Sequence, residues 1–105
     1  MRKLKAIICP ANGAPYVAHV SDSLEALQRI VGGYIETCTV TTDVLILCNE
    51  EGRLMNLPEN RSLCFSGFCG DCLILGRKGE NFTSLSPENC RFLLESCKER
   101  YMKGR

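Results

Sequence analysis

The sequence predicts a single small α+β domain, with a mainly antiparallel sheet of about five to six strands and two helices in the order β-β-α-β-β-loop-β-α. Three observations support this fold class. The chain has 105 residues, which is enough for one hydrophobic core. Short apolar runs bounded by turn residues recur along it, as expected of strands. Two segments begin with helix-capping residues and continue with apolar residues at helical spacing. Residues 1–105 are therefore expected to form one domain.

The first half of the chain predicts a hairpin followed by a helix. Residues 4–9 and 16–20 flank a turn rich in Pro, Asn and Gly, so they should pair as antiparallel strands. Asp22, with Glu25 three residues later, predicts a capping box at the start of the helix. The double glycine at positions 32–33 should end that helix.

Two further strands are predicted after this helix. Residues 34–40 form the first, and the tight connection at 41–43 leads into the second at 44–48. The second run is apolar throughout, which is typical of a strand that is buried on both faces. We therefore expect residues 44–48 to lie at the centre of the sheet.

The second half of the chain is rich in loops before it returns to regular structure. Leu54 and Met55 predict a brief strand, and Pro58 makes residues 57–61 an irregular loop. Residues 72–75 predict a strand, and Ser86 should cap a last helix. We expect both helices to cover one face of the sheet. The apolar stripe of the last helix comprises Cys90, Leu93, Leu94, Cys97 and Tyr101.

The eight cysteines are an unusually high number for a chain of this length. The apolar run that follows the basic amino terminus is too short for the core of a signal peptide, so we expect a cytoplasmic protein with reduced thiols. No stretch is long and apolar enough to predict a membrane span. The net charge of +1 does not indicate nucleic acid as a partner. Core positions are predicted for five of the cysteines: Cys9, Cys38, Cys48, Cys90 and Cys97.

One cysteine pattern resembles a ligand set. Cys64, Cys69 and Cys72, with Cys97 downstream, have a spacing similar to that of plant-type [2Fe–2S] ferredoxins. A metal or iron–sulfur protein is therefore an alternative interpretation. Against it, Cys72 begins an apolar strand and Cys97 lies on the apolar stripe of a helix, so packing already explains both. We expect no cofactor.

No catalytic motif is present in the sequence. His19 is the single histidine and has no carboxylate pattern around it, and neither a nucleophile elbow nor a phosphate-binding glycine loop occurs. These observations favour a protein that is not an enzyme. Asn60 and Arg61 lie together on the Pro58 loop, where an amide beside a guanidinium suits recognition of a carboxylate or phosphate. An arginine that ties its own loop to backbone carbonyls is the structural alternative.

Six segments along the chain can be compared with known families: residues 23–28, 31–36, 48–52, 57–61, 73–74 and 82–85. Together they resemble a family of small uncharacterised proteins from phages and mobile elements of Firmicutes, catalogued as domain of unknown function 3846. The resemblance covers most of the chain but implies no activity. It places polar or aromatic groups at the ends of elements, at Tyr34, Asn49, Asn60 and Arg61. It predicts no ligand set at Cys64 or Cys69.

Three functional hypotheses follow. The preferred one is a non-enzymatic binding module of a mobile element, which uses Tyr34, Asn49, Asn60 and Arg61 to hold a partner protein or a small anionic ligand. The second is the metal or [2Fe–2S] protein described above. The third is an enzyme with an unrecognised site around Asn60, Arg61 and Glu51. The oligomeric state stays open, although an exposed strand edge would allow a dimer.

Overall fold

In the computed structural model, residues 2–103 are described, apart from the side chains of residues 64–66, and they form a six-stranded antiparallel sheet with two α-helices. The predicted α+β fold class is confirmed. A short 3₁₀ segment, Arg61–Ser66, lies between the fourth and fifth strands. The elements are β1 (Lys3–Cys9), β2 (Tyr16–Ser21), α1 (Leu24–Val31), β3 (Ile35–Thr41), β4 (Val44–Asn49), β5 (Cys72–Lys78), β6 (Asn81–Thr83) and α2 (Pro87–Lys103).

The strands are arranged in the order β2-β1-β5-β4-β3, and β6 pairs with the end of β5. All six residues of β4 are buried, as its apolar run predicts. The prediction that this run forms the centre of the sheet was wrong, because β5 occupies that position and pairs with both β1 and β4. The apolar start of β5 is equally buried, so burial alone does not distinguish the central strand from its neighbour.

The two helices pack on opposite faces of the sheet, so the expectation of helices on a single face was wrong. The apolar runs of β1, β4 and β5 alternate between the faces, and both faces therefore need a cover. Leu27 and Val31 of α1 pack in one core with Leu4, Ile8, Leu47 and Leu73. Cys90 and Cys97 of α2 pack in the other core with Ile7, Ile46, Leu63 and Ile74.

The start of α1 differs from the sequence prediction by one residue. Ser23, not Asp22, is the N-cap, and its hydroxyl accepts a hydrogen bond of 3.2 Å from the Ala26 N–H. Asp22 instead lies beside Arg2, with 3.7 Å between the charged groups. Gly32 ends the helix as predicted, with a φ of 80° that favours glycine.

The second half confirms the last helix and corrects one strand. Ser86 caps α2 as predicted, since its hydroxyl accepts a hydrogen bond of 3.1 Å from the Asn89 N–H. Leu54 and Met55 lie in a turn that runs from residue 50 to residue 56, so the brief strand predicted there was wrong. Among the described residues, no helix combines the length and hydrophobicity that crossing a membrane requires.

Four of the five cysteines that were predicted to be in the core are buried: Cys9, Cys48, Cys90 and Cys97. The prediction for Cys38 was wrong, because its side chain is exposed. Cys38 belongs to β3, the outermost strand at one end of the sheet, where six of seven residues are exposed. Because β3 is an edge strand, it has a neighbouring strand on one side only, and no second strand helps to cover its side chains.

Candidate binding surface

Asn49, at the end of β4, holds together the parts of the chain that surround it. Its side chain is buried, its oxygen accepts a hydrogen bond of 2.8 Å from the Glu51 N–H, and its amide donates one of 3.2 Å to the Val31 oxygen at the end of α1. A Cβ atom on Gly33 would lie 2.9 Å from the amide nitrogen, so this position requires glycine. Asn49 therefore fixes the 50–56 turn against the end of α1.

Tyr34 lies beside this turn and is exposed. Its main-chain oxygen accepts a hydrogen bond of 2.9 Å from the Glu50 N–H, which fixes the main chain, while 67% of its surface is accessible to solvent. Leu54 and Met55 of the turn are also exposed, at 82% and 51%. Tyr34 and Glu51 line two adjoining depressions, one with Leu54 and the other with Met55. We call the surface formed by Tyr34, Glu50, Glu51, Leu54 and Met55 the Tyr34 patch.

Tyr34 was predicted from sequence as a binding residue, whereas Leu54 and Met55 were predicted to form a strand. The signal was available, because two consecutive apolar residues follow Glu50, Glu51 and Gly52 in a segment that has the composition of a turn. Apolar side chains on a turn have no strand partner to cover them.

Asn60 lies in the interior, with no accessible surface. Its amide nitrogen donates to the main-chain oxygens of Cys9 (2.8 Å) and Gly70 (2.9 Å). Its side-chain oxygen accepts from the N–H groups of Ser62 (3.1 Å) and Leu63 (3.2 Å) and so caps the 3₁₀ segment. These four bonds occupy both donor hydrogens and both acceptor positions of the Asn60 amide.

Arg61 is directed at the carboxyl end of α2. One guanidinium nitrogen, Nη2, donates a hydrogen bond of 3.0 Å to the Tyr101 oxygen, and the guanidinium lies 4.3 Å from the centre of the Tyr101 ring. Its Nε is buried and has no hydrogen-bond partner among the described residues. This arrangement corresponds to the structural alternative, an arginine that ties its own loop to a backbone carbonyl, and the carbonyl belongs to the last helix.

The four residues selected from sequence therefore fall into two groups. Tyr34 and Asn49 lie around the 50–56 turn. Asn49 holds this turn in place, and Tyr34 is exposed on the Tyr34 patch. Asn60 and Arg61 bind main-chain carbonyls of β1, the segment before β5, and α2. Glu51, the third member of the possible enzyme site, is on the Tyr34 patch and thus has different neighbours from the side chains of Asn60 and Arg61.

Two of the proposed metal-binding cysteines are in the interior of the protein. Cys72 and Cys97 have no accessible surface, and Cys69 is half-buried. Within the described part of the chain, no group of three or more His, Cys, Asp or Glu side chains is placed to hold a metal ion. The side chain of Cys64 lies outside the described residues. Cys69, Cys72 and Cys97 thus do not form a ligand group among themselves.

The buried thiols differ in their acidity. Burial raises the pKa of Cys72 to about 12, with smaller contributions from Cys48 and Asp71. The pKa of Cys97 is lowered to about 7, first by a hydrogen bond from Cys9 and then by Arg100, one of whose guanidinium nitrogens lies 3.6 Å from the Cys97 sulfur. Both Cys9 and Cys97 belong to the core beneath α2, so neither thiol faces a substrate from solvent.

A pocket of about 230 Å³ opens between β3, β4 and the 50–56 turn. It is lined in part by Glu36, Cys48, Arg53 and Cys69. Burial, and after it the charge of Glu36, raises the pKa of Cys48 to about 11, so this thiol stays protonated at neutral pH. A protonated thiol is a poor nucleophile and a poor metal ligand. Cys48 is therefore not a reactive thiol in this pocket at neutral pH.

Comparison with known proteins places the chain in a family. A family model described as "Domain of unknown function (DUF3846)" matches residues 3–101, nearly the whole chain. The chain belongs to this family. Its assignment from sequence to an uncharacterised family is confirmed at that level, and the description brings no activity.

A second similarity is to part of a much longer protein. The chain is 33% identical over 94 residues to the aspartate carbamoyltransferase catalytic subunit of Lachnoclostridium phytofermentans, a match that covers 78% of this chain. The chain spans only 28% of the length of that curated relative, so the similarity does not carry its catalytic activity over. No solved structure matches the chain.

Proposed function

We propose that the chain is a non-enzymatic binding module that holds a protein partner through the Tyr34 patch. The main support for this proposal is that three exposed side chains lie beside one another: Tyr34, Leu54 and Met55. Their main chain is held in place by Asn49 and by the hydrogen bond between Tyr34 and Glu50. Groups of exposed apolar residues mark interaction sites, and tyrosine is enriched among the residues that dominate binding energy. A surface that is already positioned loses less entropy when a partner binds.

The charge of the patch favours a particular kind of partner. Glu50 and Glu51 border the apolar residues, so a partner segment with a large apolar side chain next to Lys or Arg would complement it. The same two carboxylates would repel a small anionic ligand. Asn60 and Arg61, the groups that suggested anion binding, are bound to main-chain carbonyls elsewhere. A protein partner is therefore favoured over an anion.

The wider setting belongs to the same proposal. A role in a phage or mobile element of Firmicutes is supported by the sequence segments that resemble such proteins. A cytoplasmic location is supported by the cysteines. The seven whose side chains the structure describes are free thiols, which is the form that cysteines keep in a reducing compartment.

Selection of peptides tests the proposed function directly. A displayed peptide library is selected on the immobilised wild-type chain, and bound peptides are then measured against Tyr34→Ala and against Leu54→Ala. We expect enriched peptides to combine an apolar anchor with Lys or Arg. Loss of the Tyr34 ring should weaken the affinity of these peptides by about tenfold or more, as expected for a residue that dominates binding. Replacing both Glu50 and Glu51 by Gln should reduce the salt dependence of binding.

Tyr16→Ala is the matched control, because Tyr16 is another exposed tyrosine (51%) and lies at the start of β2. It should bind the selected peptides as the wild type does. Peptides that bind Tyr34→Ala and the wild type equally, or that are consistently acidic, would contradict the proposal. Each variant is first compared with the wild type by thermal unfolding, where an exposed substitution should change stability by less than about 0.5 kcal/mol.

A further inference from the structure

Strand β3 has an unpaired edge with few of the features that usually protect such edges. It pairs with β4 on one side and lies at the end of the sheet on the other. Its sequence, IETCTVT, contains neither proline nor lysine, and Glu36 is its one charged residue. A register irregularity between Thr39 and Thr41 limits the regular ladder to the first five residues. Strand edges of this kind pair readily with another strand.

The pairing with β4 shows which backbone groups of β3 face outward. The Glu50 N–H donates to the Tyr34 oxygen, one step before the Ile35–Asn49 pair. Bonded and non-bonded pairs alternate along an antiparallel ladder, so Tyr34, Glu36 and Cys38 direct their N–H and C=O groups to β4. Ile35, Thr37 and Thr39 direct theirs to the free edge.

From this edge we infer that two copies of the chain associate by antiparallel pairing of their β3 strands, with the two-fold axis at Cys38. In this register Thr37 of each copy faces Thr39 of the other, and both residues have their backbone groups directed outward. Each Thr37–Thr39 pair exchanges two N–H···O=C bonds, and the two sheets become one continuous sheet.

The side chains of β3 suit pairing with a second copy of the same strand. Glu36 of one copy is directed towards Val40 of the other, just beyond the regular ladder, so no like charges meet, whereas a register centred on Glu36 would place two carboxylates opposite each other. β-branched threonines face each other in both central pairs, which favours sheet structure. The strand is thus complementary to itself when it is reversed.

Cys38 offers a direct probe of the register. Its side chain is exposed, and at the axis it faces Cys38 of the second copy as a non-bonded pair. Such pairs have Cα atoms about 4.5 Å apart, within the range that a disulfide spans. Diamide would accept two electrons and two protons from the two thiols, breaking both S–H bonds and forming one S–S bond.

The experiment combines oligomeric state with crosslinking. Sedimentation equilibrium of the reduced chain at increasing concentration should show a monomer–dimer equilibrium, and diamide should give a dimer on a non-reducing gel. Thr37→Pro removes only outward N–H groups, two bonds per dimer, and should weaken association by about tenfold or more. Replacing both Thr37 and Thr39 by Lys keeps every backbone group but sets lysines opposite each other, and should also weaken association.

Controls separate specific pairing from random collision of exposed thiols. Cys38→Ser should abolish the crosslink, and Cys69→Ser should retain it. Thr37→Pro should crosslink much less than the wild type although Cys38 is still present. The proposal is overturned by a wild-type chain that stays monomeric at the highest concentration, by a dimer that does not crosslink at Cys38, or by equal crosslinking of Thr37→Pro and the wild type. Circular dichroism and thermal unfolding confirm that each variant is folded.

Discussion

The side-chain amide of Asn60 donates a hydrogen bond of 2.8 Å to the main-chain oxygen of Cys9, 51 residues earlier in the chain. The same nitrogen also donates to the Gly70 oxygen, just before β5. One buried side chain thus joins the end of β1 to the middle and the end of the loop between β4 and β5. The residue that looked like a ligand-binding amide on an open loop is a structural centre of the domain.

The first prediction concerns Asn60 itself. Asn60→Ala removes four hydrogen bonds and leaves buried main-chain donors and acceptors without partners, each of which costs about 1–3 kcal/mol when unsatisfied. We expect the free energy of unfolding, measured by urea denaturation, to fall by about 3 kcal/mol or more. The exposed Asn81 provides the matched control, and Asn81→Ala should change it by less than about 0.5 kcal/mol. Equal effects of the two substitutions would show that Asn60 is not a structural centre.

The second prediction concerns Arg61 and Tyr101. The guanidinium both donates to the Tyr101 oxygen and stacks over its ring, and a lysine reproduces neither the planar stacking nor the fork of donors. Arg61→Lys should destabilise the protein by about 1–2 kcal/mol. In a double-mutant cycle with Tyr101→Ala, the coupling energy should be about 1 kcal/mol. Strictly additive effects would mean that the ring contact contributes nothing to stability.

The third prediction concerns the reactivity of the thiols. Cys38 is exposed and Cys69 half-buried, whereas Cys72 and Cys97 have no accessible surface. Brief alkylation of the native protein with iodoacetamide, followed by peptide mass spectrometry, should label Cys38 first and the two buried thiols only after unfolding. Cys97 is the informative case, since its lowered pKa favours the reactive thiolate while burial denies access. Labelling of native Cys97 as fast as Cys38 would show that α2 opens readily.

The fourth prediction is a loss of stability in alkaline solution. In the unfolded chain Cys72 ionises above about pH 9, whereas in the folded protein its raised pKa keeps it protonated up to about pH 12. The unfolded state therefore binds fewer protons in this window, and stability falls as pH rises, by about 1.4 kcal/mol per pH unit for one such group. Cys48, with its pKa raised to about 11, adds to the slope up to that pH.

The alkaline slope is assigned by comparing variants. Between pH 9 and pH 11, the stability of Cys72→Ala should fall less steeply with pH than that of the wild type. The difference between the two slopes should correspond to one proton per molecule. Cys38→Ala, which removes an exposed thiol, should keep the slope of the wild type. Urea unfolding at each pH gives the slopes, and parallel lines for Cys72→Ala and the wild type would refute the assignment.

The fifth prediction concerns Gly76 in β5. A Cβ atom there would lie 2.5 Å from the main-chain oxygen of Ser84, and neither backbone can move without disturbing the β5–β6 pair. Gly76→Ala should therefore cost about 2 kcal/mol or more in the free energy of unfolding. Gly79→Ala is the comparison, since its Cβ would meet open space and only its φ of 63° is unfavourable, at about 1 kcal/mol. A smaller cost at Gly76 than at Gly79 would contradict the close approach.

Part of the candidate surface was predictable from sequence. Tyr34 was selected because it follows a double glycine, and the structure places it beside Asn49 at the end of β4. The exposure of Leu54 and Met55 was not predicted, because two apolar residues in a row suit a strand as well as a turn. Asn60 and Arg61 were selected from sequence as binding residues, and the sequence does not show that Cys9, Gly70 and Tyr101 supply partners for their side chains.

The elements and their order follow from local patterns in the chain. Capping residues, glycines with positive φ and the spacing of apolar residues act over a few positions, so they are visible along the sequence. The arrangement in space depends on contacts between distant residues. The central position of β5, the opposite placement of α1 and α2, and the exposure of Cys38 all follow from which strand pairs with which. Burial is a property of neighbours in space, and for that reason only the folded structure separates the structural polar residues from those on the surface.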